Sequence, residues 1–437
     1  MKTPTTAELP HFHVVVVGLG FVGLTLGVKF ASAGLKVLGV EKNPLTLESL
    51  KRGRAHFFEP GLDELLTSLQ SEGTLSLSSS LDDLYTPRNP VHFVISVGTP
   101  LSDLGNKNDS FTAALKSISG CLIDGDLIIT RSTVRVGTNR NLIPQILQSV
   151  NVNYGIASCP ERTIEGAALK ELEELPQIVS GLNEYSADKA EQLFLRITKK
   201  VVRVSSLEAA ELLKLLANTY RDTLFAIANE YALIADSFGV SLSEIVEAAG
   251  ADYPRFKLSR PGPVGGPCLE KDSYILQDSL ENSDLSRLTI SARERNKNFI
   301  EDYFLSLNLN YQKMERVLIC GLAFKGKPET DDLRGSPVFD ILGLLEKFIS
   351  NKSITIWDPL IEFLPSELSQ YPWWDIENSA VFNLVIIQNN HNFFSTTRFK
   401  TLLTSILTED TVIVDLVGLN FFKDLPCRYV APGEGFK

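Results

Sequence analysis

Short, continuously apolar runs alternate along this chain with longer amphipathic stretches, a pattern that predicts buried parallel strands separated by helices. The first run, His13-Val14-Val15-Val16-Val17, flows into Gly18-Leu19-Gly20-Phe21-Val22-Gly23 and an apolar helical segment that reaches about Ala33 and closes at Gly34. A second strand, 36–40, ends at Glu41, and further strand-like runs fall at 93–97, 127–129, 154–158, 176–181 and 200–204. A capping box, Ser205 with Glu208, then opens a stretch without proline or glycine to about Phe238. About 33 helical residues span roughly 50 Å, enough to cross between two domains. Helical patterns at 243–249 and 284–306 complete an all-helical middle, and strand-like runs return at 316–321, 354–357, 384–387 and 412–415. The expected fold is α/β: two Rossmann-like, doubly wound parallel-sheet domains joined by a helical middle domain with one long central helix. The expected boundaries are 1–204, 205–308 and 309–437.

Composition narrows the function classes. A chain of 437 residues with 44% hydrophobic and 22% charged content is an ordinary soluble globular protein of two or three domains. Its net charge of -11, from 42 basic and 53 acidic residues, argues against nucleic acid or an anionic membrane as partner. No apolar run approaches bilayer length, and the N-terminus carries no signal-peptide pattern. Cys121, Cys159, Cys268, Cys320 and Cys427 are scattered and odd in number, and neither they nor the five histidines have metal-ligand spacing. A reducing, cytoplasmic location without a metal is expected.

Chemistry concentrates at the strand ends and at one loop. Gly18, Gly20 and Gly23 form a dinucleotide fingerprint in its proper strand–turn–helix context, with Phe21 and Val22 opening the helix that would receive a pyrophosphate. Glu41, 18 residues after Gly23, is placed to accept from the adenosine ribose and to repel a 2′-phosphate, favouring NAD over NADP. Thr99, Ser132 and Thr133 lie past later strand ends, where ligands bind in open sheets; helix capping is the plain alternative. Glu161 and Arg162 also follow a strand end, as a candidate base beside a cation or as a surface ion pair. On the long helix, Glu211, Lys214, Asn218 and Arg221 share a face, which reads as a solvated stripe or a ligand-facing one. The loop Gly262-Pro263-Val264-Gly265-Gly266-Pro267-Cys268 then leads to Lys271 and Asp272. If a helix starts near Cys268, the thiolate is favoured at its positive end, with Asp272 one turn on. Lys325 and Arg334, in a charge-rich turn segment, could clamp a phosphate or simply be solvated. The turn Gly321-Leu322-Ala323-Phe324-Lys325 lacks the dinucleotide glycines, so a second NAD site is not expected.

Taken in order, these motifs resemble the UDP-glucose/GDP-mannose dehydrogenase family of nucleotide-sugar 6-dehydrogenases over nearly the whole chain. The carrying residues are Gly18 to Gly23, Val97-Gly98-Thr99-Pro100, Ser132-Thr133-Val134, Pro160-Glu161-Arg162, Lys214 with Asn218, Gly265-Gly266-Pro267-Cys268 with Lys271-Asp272, and Phe324-Lys325 through Arg334-Gly335-Ser336-Pro337. The resemblance implies an NAD domain, a helical dimer-forming linker that makes a homodimer through the central helix, and a domain holding the UDP moiety. It implies four-electron oxidation of a sugar C6 hydroxyl to a carboxylate. In that scheme Lys214 and Asn218 stabilise an alkoxide, and Asp272 assists proton transfer with Lys214 or Thr133 nearby. Cys268 forms a thiohemiacetal and then a thioester, and Glu161 helps water hydrolyse it. Lys325 and Arg334 lie near nucleotide or sugar, Arg255 reaches a phosphate, and Gly265 leaves room for the sugar. Pro160-Glu161-Arg162 followed by Glu165-Gly166 looks more like the UDP-N-acetylhexosamine branch, with Arg162 facing an acetamido carbonyl, than the UDP-glucose branch. Pro267 stands where histidine or serine is common. UDP-glucose oxidation, and a two-electron hydroxyacid dehydrogenase that needs no Cys268, are the competing expectations.

Overall fold

The computed structural model describes residues 12–435 apart from 82–84, 86–88, 101–108, 312–313, 363 and 377–379. The reading of the extreme N-terminus therefore lies outside the described residues. The chain divides into two compact units, residues 1–217 with 274–283 and residues 218–273 with 284–437.

The first unit is built on eight strands: β1 Val14–Val17, β2 Val37–Val40, β3 Leu75–Ser78, β4 His92–Ile95, β5 Leu127–Thr130, β6 Gly155–Ser158, β7 Gln177–Gly181 and β8 Val201–Arg203. Their order is β3-β2-β1-β4-β5-β6-β7-β8, which contains the doubly wound order with its switch point between β1 and β4. The period-two alternation of a strand decides the core. Val14 and Val16 enter one apolar cluster with helix α1 (Phe21–Ser32), while Val15 and Val17 enter the cluster on the opposite face. Helices α2 (Pro44–Lys51), α3 (Leu62–Ser71), α4 (Asp109–Ser119), α5 (Ile143–Ile146), α6 (Ala168–Glu174) and α7 (Glu184–Phe194) complete the layers. The structure departs from an all-parallel sheet at β7, which runs antiparallel to β6. Gln177, the first residue of β7, shares the Arg131 guanidinium with Glu161, which follows β6. The chain thus re-enters the sheet at the end where it left.

The second unit carries β9 Val317–Cys320, β10 Ile354–Trp357, β11 Leu384–Ile387, β12 Val412–Asp415 and β13 Arg428–Val430, all parallel, in the order β10-β9-β11-β12-β13. Here too Val317 and Ile319 face one core and Leu318 and Cys320 the other. The edge strands β3 and β13 had no counterpart in the expectations, because their short sequences, LSLS and RYV, form no continuous apolar run.

Helix α8 (Leu207–Ser237) is the long helix expected from the sequence; it is followed by α9 (Leu242–Gly250), α10 (Leu269–Asp278), α11 (Arg287–Ser306), α12 (Val338–Leu345) and α13 (Thr397–Ser405). Its cap is Ser206, whose Oγ accepts the Ala209 amide at 3.1 Å, one residue later than the expected Ser205. That shift moves Glu208 out of the capping-box position, and it pairs with Arg140 instead. Arg221 is exposed, so the expected polar face is also corrected: the buried ridge continues through Asp222, Asn229 and Asp236. Steps of four and seven residues return to the same helix face, whereas Arg221 lies a hundred degrees away from Asp222.

At the end of that ridge, Asp236 accepts the amides of Gly433 and Gly435, both at 2.9 Å, and Leu242 donates to the Gly433 carbonyl at 2.6 Å. Replacing Asp236 by Ala leaves buried amides without an acceptor, at a cost of about 1–3 kcal/mol. Urea unfolding should show the lower midpoint; an unchanged midpoint would mean the tail is held without this carboxylate.

Candidate active-site residues

The turn after β1 has the form a dinucleotide needs. Gly18 adopts a φ of +90°, and a Cβ there would lie 2.7 Å from the Ser96 carbonyl oxygen that follows β4. A Cβ on Gly23 would collide with the Gly18 carbonyl, whereas one on Gly20 would meet nothing within 4 Å. The first and third glycines therefore serve packing, and the second leaves open space at the start of α1. No side chain among the described residues caps α1, so its leading amides point to where an anion can bind. Glu41, at the end of β2, accepts from the Leu19 amide at 3.0 Å and the Asn43 amide at 2.8 Å. Those bonds fix the carboxylate at the end of β2, beside the glycine turn. The donor set fits NAD.

Farther along the same sheet end, the Thr99 hydroxyl donates to the Thr133 carbonyl at 2.8 Å and Ser132 donates to the Val97 carbonyl at 2.7 Å. These bonds join the loops after β4 and β5. Arg131, which follows β5, is fully buried and is a residue that no motif in the sequence singles out. Its guanidinium donates to the Cys159 carbonyl and the Gln177 side chain, both at 2.9 Å, pairs with Glu161, and lies over the Phe194 ring. Only the fold reveals it, since no local pattern separates a buried strand-end arginine from an exposed one.

Glu161 is consequently more constrained than a solvated base. One oxygen meets Arg131, and the other accepts the amides of Arg162 at 2.6 Å and Thr163 at 2.7 Å. Burial alone would raise its pKa. Arg131, the Thr163 amide, the Lys214 ammonium and the Arg162 amide outweigh burial and hold it below the ordinary value of 4.5. Glu161 and Lys214 are thus brought into electrostatic contact. Arg162 turns its guanidinium to the Pro176 carbonyl at 2.5 Å. On α8, Glu211 accepts the amides of Gly137 and Asn139 at 2.6 and 2.8 Å, anchoring the segment after Thr133.

In the second unit, Asn218 donates to Asp272 at 2.6 Å, and Lys271 meets the other oxygen of that buried carboxylate at 3.1 Å. Cys268 is exposed, directly precedes α10, and its carbonyl accepts the Asp272 amide at 3.1 Å. The loop before it is tightly placed. Gly266 adopts a φ of +98°, donates to the Gly335 carbonyl at 2.8 Å, and would put a Cβ 2.7 Å from the Phe324 ring. A Cβ on Gly265 would collide with Gly335. Gly265 is therefore explained by backbone packing within this unit. Lys325 donates to the Pro328 carbonyl at 3.0 Å, exposed Arg334 forks onto Asp332, and Arg255 stacks on Tyr253 at 4.5 Å.

The turn after β9 repeats the glycine-and-acid arrangement of the turn after β1, without a helix directly behind it. Gly321 has a φ of +90°, and the Leu322 and Ala323 amides both bind Asp358, at the end of β10, at 2.7 and 3.2 Å. Gly20 corresponds to Ala323, and the next helix does not begin until Val338.

A doubly wound sheet with this glycine turn and open helix start has the form of an NAD-binding domain, and the family match makes the chain an NAD-dependent oxidoreductase. The chain belongs to the UDP-glucose/GDP-mannose dehydrogenase family, whose NAD binding domain matches residues 12–198, central domain 208–298 and UDP binding domain 318–421. It is 29% identical over 433 residues, 97% of this chain and 99% of the relative, to UDP-N-acetyl-D-mannosamine dehydrogenase of Pyrococcus horikoshii. It is 30% identical over 424 residues, 93% of this chain and 96% of the relative, to NDP-N-acetyl-D-galactosaminuronic acid dehydrogenase of Ralstonia nicotianae. The solved UDP-D-ManNAc dehydrogenase of Pyrococcus horikoshii superposes with a TM-score of 0.82 at 27% identity, covering 96% of this chain and 99% of that one. The UDP-N-acetyl-mannosamine dehydrogenase of Staphylococcus aureus superposes with a TM-score of 0.79 at 25% identity, covering 97% and 99%. The family, the fold and the NAD cofactor inferred from the motifs are therefore as expected. Among the described residues no helix is long and apolar enough to cross a membrane.

The Glu161–Arg131 pair has a definite pH signature. A depressed folded-state pKa contributes stability above the unfolded value and loses it as pH falls through the folded value. Glu161→Gln leaves a buried guanidinium uncompensated and should destabilise the protein by about 3–5 kcal/mol at neutral pH. The gap to wild type should stay constant down to pH of about 4.5 and close in more acid solution, read by urea unfolding across pH. A gap that widens on acidification would reverse the assignment.

Proposed function

We propose that this enzyme oxidises the C6 hydroxyl of a UDP-N-acetylhexosamine to the uronate, with UDP-N-acetyl-D-mannosamine as the leading substrate. The observation that carries the reading is the Asn218–Asp272 pair one turn from Cys268, in a chain whose full-length relatives act on N-acetylated nucleotide sugars. NAD, held by Gly18 to Gly23 and Glu41, supplies the hydride acceptor for both two-electron oxidations. Lys214 and Asn218, one helical turn apart, offer an ammonium and an amide to the C6 oxygen as it becomes an alkoxide. Asp272, held as hydrogen-bond acceptor by Asn218 and Lys271, takes up the departing hydroxyl proton through water, with Thr133 as a further polar partner. The Cys268 sulfur bonds to C6 of the aldehyde, giving a thiohemiacetal, and loss of the second hydride leaves a thioester. Water adds to that carbonyl, the carbon–sulfur bond breaks, and the thiol and carboxylate separate. Glu161 acts on this water mainly as an orienting acceptor, because a carboxylate held below its ordinary range is a weak base. Lys325, Arg334 and Arg255 supply cationic contacts for the UDP moiety, and Arg162 meets the acetamido group. A thiol of this kind suits the reducing cytoplasm.

The same reading includes a homodimer through α8. Tyr220, Ile227, Tyr231, Ile234 and Phe238 recur at helical spacing and remain exposed, Phe238 by 77%, which supports a second copy covering that stripe. Ile227→Asp with Ile234→Asp should shift sedimentation equilibrium to monomer; a mass unchanged from wild type would remove the stripe from the interface.

The chemistry is tested by stoichiometry. Wild type should form two NADH per uronate from an N-acetylated UDP-sugar, and Cys268→Ala should lose uronate formation while binding NAD as before. One NADH per sugar would return the two-electron reading, and uronate made at the normal rate without Cys268 would remove the thioester mechanism. Turnover of UDP-glucose alone in a sugar panel would displace the N-acetylhexosamine assignment.

A further inference from the structure

The loop 262–268 contains three glycines, which give a reacting cysteine no rigidity of their own. Its shape is imposed by side chains from two helices of the same unit, none of which belongs to the machinery described above. The Gly262 amide donates to Asn229 of α8 at 2.7 Å. The Val264 carbonyl accepts from Arg293 of α11 at 3.1 Å, and the other arm of that guanidinium donates to Asp222 of α8 at 3.0 Å. Asn296, one turn after Arg293, donates to both the carbonyl and the side chain of Asp222 at 2.8 Å and accepts from Asn229 at 3.0 Å. All four side chains are buried. Asn229 and Arg293 grip the loop backbone directly, and Asp222 and Asn296 fix those two. At the far end the loop is held by the Gly266–Gly335 bond.

We infer that Arg293, Asn296, Asn229 and Asp222 are positioning residues that fix the Cys268 loop in its reactive shape, and that Arg293 is specifically required because it forks between a carboxylate and a backbone carbonyl. The inference rests on the reading of Cys268 as the covalent residue. Bonds of this kind serve folding in any protein, but here they converge on two backbone groups of one loop, Gly262 and Val264. A lysine at 293 keeps the charge opposite Asp222 yet cannot make the planar two-way contact. A loop displaced by about 1 Å is expected to cost on the order of 10²-fold in turnover.

Arg293→Lys is therefore compared with Arg295→Ala, a change two positions away that removes only the contacts to Glu230 and Asp302. Arg293→Lys should lower kcat for uronate formation by about 10²-fold, leave NAD affinity at the wild-type value, and change the rate at which iodoacetamide alkylates Cys268 in the substrate-free protein. Arg295→Ala should leave all three unchanged. Should Arg293→Lys fail to fold, Asn229→Ala, which deletes the acceptor for the Gly262 amide, is read in the same way. Turnover within roughly twofold of wild type, which is no meaningful loss of transition-state stabilisation, would overturn the inference. So would an equal loss in Arg295→Ala, or a loss of turnover with unchanged Cys268 alkylation. If Cys268→Ala itself makes uronate normally, the functional reading is at fault, and the alkylation rates alone decide whether the network shapes the loop.

Discussion

A charged or amide side chain buried along a helix must find a partner, and in α8 the partners are mostly backbone groups of other segments. Glu211 takes the amides of Gly137 and Asn139, Asn229 takes the amide of Gly262, and Asp236 takes the amides of Gly433 and Gly435. Asn218 and Asp222 instead hold side chains, Asp272 and Arg293. Each of these bonds lies within a single unit. Segments that form no regular structure of their own are thereby fixed to a rigid rod. Unsatisfied buried polar atoms are costly, so displacing any one segment carries a penalty beyond the lost bond. A loop rich in glycine can hold one shape here because its order is supplied from outside.

The two sheets solve a smaller version of the same problem. In each, a glycine with a φ of +90° ends the first strand and an acid at the end of the second strand receives the turn amides, Glu41 in one and Asp358 in the other. Only the first sheet follows its turn at once with a helix. That difference separates a turn whose helix start can receive an anion from one whose leading amides are already taken by Asp358.

Strands with continuous apolar runs and the long helix could be read from the chain, because burial on both faces or along thirty residues writes itself into the sequence. Glu41, Asn218, Asp272 and Cys268 could be picked out as candidates because each stands in a local pattern: the acid after the second strand, the four-residue step from Lys214, and the glycine-rich loop before a helix start. Arg131, Arg293 and Asn229 were not. Their partners are 28 to 71 residues away, and nothing adjacent marks them as buried. Ser206 displaced Ser205 as the cap, and Asp222 displaced Arg221 on the ridge, each by one residue, which is the scale on which a helix face changes identity. Gly265 carries a second constraint that the sequence does not show: a Cβ there would collide with Gly335.

The central claim is that Cys268 becomes acylated by the oxidised sugar. Acid-quenching the enzyme during turnover of UDP-N-acetyl-D-mannosamine and mapping its peptides by mass spectrometry tests this most directly. A uronyl thioester on the peptide containing Cys268, present during turnover and gone once substrate is spent, is the predicted result. Uronate accumulating with that peptide unmodified at every time point, or with the adduct on another residue, would contradict it.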